Sequence, residues 1–254
     1  MFLRLRSYTQ IMSKLEIGNQ LFLYGIFFLP STSLIGISLL FAALIISLKK
    51  FNASWREDRW NYPILVSIGL MILSTLNITI FNNPYDLKNF NSQIIWLNLL
   101  KWLILIICFY GFQNFLADNN QRKLFAKFLI AGTIPVIISC FLQKLFWDDG
   151  PYQILNGLII WFQKPIEISG GISGLFSNVN YTGIWLCLGL PFCVVLKRLE
   201  KIKLNKILLA IFILLFSYLI LETNSRNAYL SFIICLTLIM KLSYSLILIF
   251  FHFL

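Results

Sequence analysis

The residues best equipped for chemistry stand in Glu222-Thr223-Asn224-Ser225-Arg226-Asn227-Ala228, a polar stretch between two apolar runs. Thr223 or Ser225 can cap a helix beginning just after it, and a helix start still presents backbone N–H groups without internal partners. With Arg226 beside those groups, the stretch forms an anion site. A structural use competes with this one. Glu222 and Arg226 are four residues apart and can pair as a local salt bridge.

A second polar stretch, Gly170 to Gly183, holds Asn178 and Asn180 among small residues at the outer part of an apolar span. Amides at that depth need partners. They either line a polar cavity or tie two helices together, and the glycines around them permit close backbone approach. Lys101 lies about two turns inside another apolar run. A polar cavity there is the preferred reading over a lysine that snorkels to the edge. Lys101, Arg226, Asn178 and Asn180 are then expected to converge on one external basin, chemically suited to a diphosphate or an acidic glycan.

Other candidates fall away. Ser173 sits in Gly-x-Ser-Gly with no strand before it, so the nucleophile-elbow pattern fails. Cys108, Cys140, Cys187, Cys193 and Cys235 all fall in apolar runs without metal-ligand spacing and read as small hydrophobes. No metal or cofactor is expected. His252, the single histidine, lies on an apolar run and reads as structural rather than as a base. The Asn-x-Ser/Thr triplets at Asn52, Asn77 and Asn180 fall in spans or on the cytoplasmic side, so none reads as a glycan acceptor.

The elements that must position these groups are membrane helices. Of 254 residues, 59% are hydrophobic and only 12% charged, more apolar surface than a soluble core of this size can hide. Basic stretches at Arg4/Arg6/Lys14, Lys49/Lys50/Arg56/Arg59, Arg122/Lys123/Lys127, Lys197/Arg198/Lys201/Lys203/Lys206 and Lys241 alternate with loops holding only Lys88, Lys144, Lys164 and Arg226. Short cytoplasmic loops retain Lys and Arg, so the first set is assigned to the cytoplasm, with the N-terminus, and the second to the outside. The net charge of +11 is spread over loops and not gathered on one face, which argues against nucleic acid as a partner. Anionic lipid headgroups are the expected counter-charge.

The expected fold class is all-α, a polytopic transmembrane helix bundle of about eight to nine spans, residues 1–254 forming a single domain. The run Gln20 to Leu48 is read as two short helices turning at Pro30-Ser31-Thr32-Ser33, with a re-entrant pair as the alternative. Further spans are expected at Pro63–Phe81, Ile94–Leu116, Phe125–Gln143 with a kink at Pro135, Leu175–Leu196, Leu204–Leu221, Asn227–Met240 and Tyr244–Leu254. Asp148-Asp149-Gly150-Pro151 reads as a helix start. Tyr152, Leu155, Ile159 and Phe162 would share one face of a helix lying in the membrane interface, or of a loop tucked on the bundle. No cleavable signal peptide is expected, and the ending Phe-Phe-His-Phe-Leu without a polar flank reads as a truncated chain.

The segments Gly174-Leu175-Phe176-Ser177-Asn178-Val179-Asn180-Tyr181-Thr182-Gly183 and Thr223-Asn224-Ser225-Arg226-Asn227-Ala228 together resemble the O-antigen ligase and polymerase superfamily of bacterial membrane proteins. Gly111-Phe112-Gln113, Ala131-Gly132-Thr133-Ile134-Pro135-Val136 and Gly157-Leu158-Ile159-Ile160-Trp161-Phe162-Gln163 look like its cyanobacterial branch. The resemblance implies a protein of the bacterial inner membrane. Its activity would be transfer of a glycan from an undecaprenyl diphosphate carrier to lipid A core or to another glycan unit. The family's Ser-Arg motif falls on Ser225-Arg226, which implies contact of Arg226 with the carrier's diphosphate, with Ser225 and Lys101 expected to share in it. Two departures stand beside this: Asn178-Val179-Asn180 replaces the family's usual Asn-Pro-Asn, and the family's catalytic histidine belongs to a large external loop that His252 does not match. A small-anion, bicarbonate-like transporter and a non-catalytic assembly subunit are the alternative functions.

Overall fold

In the computed structural model, which describes residues 16–48, 59, 61–81, 92–146 and 150–240, the apolar runs fold as helices. A largely apolar segment has few partners for its backbone N–H and C=O groups except its own, and helix satisfies them within one segment. The helices are α1 (residues 16–28), α2 (Ser33–Leu48), α3 (Asn61–Leu76), α4 (Ser92–Phe112), α5 (Asn119–Phe146), α6 (Ile166–Ser169), α7 (Val179–Leu199), α8 (Lys203–Glu222) and α9 (Arg226–Met240). A π turn, Asn77–Phe81, extends α3, and a 3-10 turn, Gln113–Leu116, extends α4. Among the described residues α3 and α4 with the turns that extend them, α5, α7 and α8 are long and apolar enough to cross a membrane, while α2 and α9 are shorter apolar helices. The expected break near Pro30 separates α1 from α2, and Pro135 lies inside α5. Tyr244–Leu254, with His252, falls outside the described residues.

The chain divides into two compact units, residues 1–18 with 43–117 and residues 19–42 with 118–254. In the first, the end of α2 approaches α4 at Gly111, where an added Cβ would lie 2.2 Å from Leu44 Cδ1. Buried Ser47 donates to the Gly111 carbonyl and accepts from Asn114 Nδ2 at 3.0 Å. Nearby, Gln113 Nε2 donates to Asn61 Oδ1 and the Tyr110 hydroxyl to the Asn61 carbonyl, both at 3.2 Å.

The second unit is built around α7. Thr133 on α5 faces Trp185 and Phe125 faces Phe192, so α5 and α7 run antiparallel. The three-residue link 200–202 returns the chain as α8, whose Phe216 fills the space over Gly189. Residues 223–225 return it again as α9, parallel to α7, with Gly183 against Ala228 and Arg198 Nη2 donating to the Ile239 carbonyl at 2.9 Å. The core of buried residues joins α5, α7, α8 and α9 through Val136, Cys140, Leu186, Leu190 and Phe216. The α1 helix lies on α5, where Gly132 would place a Cβ 2.5 Å from the Phe27 carbonyl oxygen.

This up-and-down path sorts the charges. Arg122, Lys123, Lys127, Lys197, Arg198, Lys201, Lys203 and Lys206 all fall at one end of the bundle, and Lys144, Lys164 and Arg226 at the other. A charge alternation along the sequence becomes a polarity along one axis.

The helix expected from Pro151 is not formed, and a hairpin stands in its place. Strand β1 (Tyr152–Ile154) pairs antiparallel with β2 (Ile159–Trp161), Tyr152 opposite Trp161, after a cis Gly150–Pro151 peptide. Leu155, Asn156 and Gly157 take positive φ of 53°, 54° and 88°, which reverses the chain where a helix would have continued it. Asn156-Gly157 between β-branched and aromatic residues is a hairpin signal that outweighs the helical spacing of Tyr152, Leu155, Ile159 and Phe162. The hairpin is fastened by Trp161 Nε1 donating to the Ser31 carbonyl at 3.1 Å and by Gly150 N donating to the Gln163 carbonyl at 2.9 Å.

Candidate functional site

At the base-poor end of the second unit, the start of α7, the α8–α9 joint and residues 163–178 form one hydrogen-bonded assembly. Its hub is Gln143, which is fully buried in the last turn of α5. The Gln143 Oε1 atom accepts the N–H groups of Ser173 at 3.0 Å and Gly174 at 2.9 Å. Its Nε2 donates to the Lys164 carbonyl at 2.5 Å and to Ser173 Oγ at 3.3 Å. Ser173, also fully buried, accepts the Lys164 N–H at 2.9 Å, and its carbonyl receives the Thr182 hydroxyl. Ser139 adds a bond to Gln163 Oε1 at 2.8 Å. Ser173 is thus a fastening for the turn that leads into α7, consistent with its failing the nucleophile pattern.

That turn leans on the α8–α9 joint. Ile172 N donates to the Glu222 carbonyl at 3.1 Å, and Asn224 Nδ2 donates to the Gly170 carbonyl at 2.9 Å. Gly171 is required here, because a Cβ would stand 2.2 Å from the Thr223 carbonyl oxygen. Asn224 itself takes a left-handed conformation, φ 51°, which an Asn side chain tolerates better than most. The Tyr229 hydroxyl closes the joint by donating to the Leu221 carbonyl at 2.7 Å.

The two asparagines divide their work. Asn178 is the N-cap of α7, accepting the Asn180 N–H at 2.9 Å, and its side chain is exposed. Asn180 Oδ1 accepts the Ser225 hydroxyl at 2.5 Å, which ties the start of α7 to the start of α9. Of the two readings open for these amides, Asn180 takes the helix-tying one. Ser225 is the cap of α9: its oxygen accepts the Ala228 N–H at 3.2 Å, and the residue is 3% exposed. With its hydrogen given to Asn180 and its oxygen to Ala228, Ser225 holds the start of α9 in place.

Arg226 is the first residue of α9 and is exposed. The competing salt bridge is not made. Glu222 pairs instead with Lys144, whose ammonium also donates to the Tyr218 hydroxyl at 2.7 Å and lies 5.0 Å from the Tyr218 ring centre. Among the described residues the Arg226 guanidinium has no ionic or hydrogen-bonded partner, and the N–H groups of Arg226 and Asn227 have no acceptor. An open helix start with an unengaged guanidinium beside it is the arrangement an anionic oxygen would complete.

Lys101 belongs to the first unit. Its side chain is exposed, and its ammonium lies 3.5 Å from Asn98 Oδ1. Among the described residues no group of three His, Cys, Asp or Glu side chains could hold a metal ion. The chain matches no family model, no curated protein and no solved structure.

Sequence reasoning missed Gln143, Gln163 and Ser139, because a polar residue inside an apolar run carries no mark of its partner. One signal was present: the amide of Gln143 stands one turn from the polar end of its helix and must be satisfied by a neighbouring backbone.

Proposed function

We propose that this chain is a multi-pass protein of the bacterial inner membrane, crossing it about eight to nine times with a cytoplasmic N-terminus. Its base-poor end faces outward, and there Arg226 binds the diphosphate of an undecaprenyl-linked glycan. The activity is glycosyl transfer of the O-antigen ligase or polymerase type, to lipid A core or to another glycan unit. One observation carries this reading: Glu222 is held by Lys144, which leaves Arg226 unpaired among the described residues beside free helix-start N–H groups.

The chemistry asks for that arrangement. When a sugar hydroxyl displaces a diphosphate-linked lipid, negative charge grows on the departing diphosphate, and fixed N–H donors and a guanidinium stabilise it where it develops. A guanidinium offers parallel N–H groups to two phosphate oxygens, which a lysine ammonium cannot. Asn180, Ser225 and Asn224 act as positioning residues, since their bonds fix the direction in which α9 begins. The base that takes the hydroxyl proton is not among the groups assigned.

Removing one such donor typically lowers turnover by about 100-fold or more. Arg226→Ala is therefore expected to abolish glycan attachment in cells that depend on this protein, while its amount in the membrane fraction stays at the wild-type level. Arg226→Lys is expected to restore only part of it. Unchanged surface glycan in the alanine variant, resolved by gel electrophoresis of the lipid fraction, would refute the assignment. Loss of inorganic-anion uptake with intact glycan would replace it with a transport role.

A further inference from the structure

The opposite end of the second unit carries a groove that the transferase reading does not use. It lies between the first turns of α5 and the last turns of α7, with a volume of about 500 Å³. Ala126 leaves room on the α5 side, since only a methyl group projects there, and Pro191, Phe192 and Val195 form the α7 side. Arg122 and Lys123, both exposed, stand at the mouth with Asn119. From Leu199 at the mouth to Pro191 is eight residues of helix, about 12 Å of apolar wall below the cations.

Further basic residues stand at this end of α5 and α7. Lys127 belongs to the same end of α5 and Lys197 to the last turn of α7, while Arg198 is turned to α9, where its Nη2 donates to the Ile239 carbonyl. Among the described residues the acids flanking this end of α5 and α7 in sequence are Asp118 and Glu200. Glu200 is already engaged: the N–H groups of Ile202 and Lys201 and the Asn205 amide hold its carboxyl below the usual carboxylate range, with Lys127 adding to the effect. Asp118 accepts the Asn120 N–H at 3.2 Å. With Arg122, Lys123, Lys127 and Lys197 against these two carboxylates, this end of α5 and α7 keeps a net positive character.

We propose that this groove is a binding site for an acidic phospholipid, its phosphate held by Arg122 and Lys123 and one acyl chain lying along Ala126, Pro191 and Val195. The occupant is fixed by complementarity. A soluble anion would use the cations and leave the apolar wall wet, and a zwitterionic lipid would fill the wall but carry its own cation to the mouth. Only an amphiphile with a net negative head satisfies both ends. The α5 and α7 helices are each long and apolar enough to cross the membrane, so the groove would open to the bilayer at headgroup depth, and it holds whether or not the protein transfers glycan.

Native mass spectrometry of the detergent-solubilised protein, titrated with phosphatidylglycerol, tests this. Each cation near an anionic headgroup contributes about fivefold, so Arg122→Gln with Lys123→Gln is expected to weaken binding about 30-fold. Val195→Trp, which fills the apolar wall and keeps both cations, is expected to weaken it as well. Phosphatidylcholine should bind no better than the double variant binds phosphatidylglycerol, and inorganic phosphate should not compete. Wild-type affinity in either variant, equal binding of the two lipids, or displacement by inorganic phosphate would overturn the proposal.

Discussion

Gln143→Leu is expected to cost about 3–5 kcal/mol and to release residues 163–178 from the bundle. The substitution keeps most of the side-chain volume, so the effect is not one of packing. It leaves the Ser173 and Gly174 N–H groups and the Lys164 carbonyl without the amide that now satisfies them, in a place where Gln143 and Ser173 are fully buried. Each buried donor or acceptor left unmade costs about 1–3 kcal/mol, and two N–H groups alone account for most of the figure. Hydrogen exchange should show the Ser173 and Gly174 amides losing protection first, and the melting temperature should fall. Gln153→Leu, on the exposed face of the hairpin, is the control and should change little. A Gln143→Leu protein that melts like that control would mean the hub does not hold the turn.

Gly183→Ala is expected to be damaging for the opposite reason, though by less. A Cβ at this position would stand 2.3 Å from the Ala228 Cβ, so α7 and α9 would have to separate. Overpacking of this kind costs about 1–3 kcal/mol, and here it also pulls Asn180 away from Ser225. The expected result includes a rescue. Ala228→Gly alone removes a buried methyl from a helix and costs about 1 kcal/mol, yet the double variant should be more stable than the sum of the two singles. Additive losses in a thermal melt would show that these two residues do not set the spacing of the helices.

The helices were legible because helices long and apolar enough to cross a membrane announce themselves by length and apolarity. The span read as Leu204–Leu221 is observed as Lys203–Glu222, and Phe125–Gln143 as Asn119–Phe146, longer at each end because the polar flanks also continue the helix. The start of α7 was misplaced, from Leu175 to Val179, since Gly174 to Asn178 serves as a turn and cap and a hydropathy reading sees only its apolar members. The hairpin was misread for a related reason. Helical spacing of four apolar residues is satisfied by chance in a short segment, whereas Asn156-Gly157 encodes a specific backbone reversal. In the candidate site, Ser225 was readable as one of two possible caps, but its bond to Asn180 joins residues 45 apart in sequence, and no local pattern records it. The same holds for Lys144 and Glu222. Their pairing removes the nearest partner of Arg226, and sequence spacing alone favoured the wrong pair.

The account depends on Arg226 and the basic turn after α7 lying on opposite faces of a membrane. The α8 helix joins them, with Lys203 at one end and Glu222 at the other, twenty residues or about 30 Å apart along the axis. Impermeant thiol labelling in intact cells, with Asn224→Cys and Lys201→Cys introduced separately after replacement of the five native cysteines, measures this directly. The account predicts that the position at 224 reacts from outside and the position at 201 only after the membrane is opened. Reaction of both from the same side would contradict it.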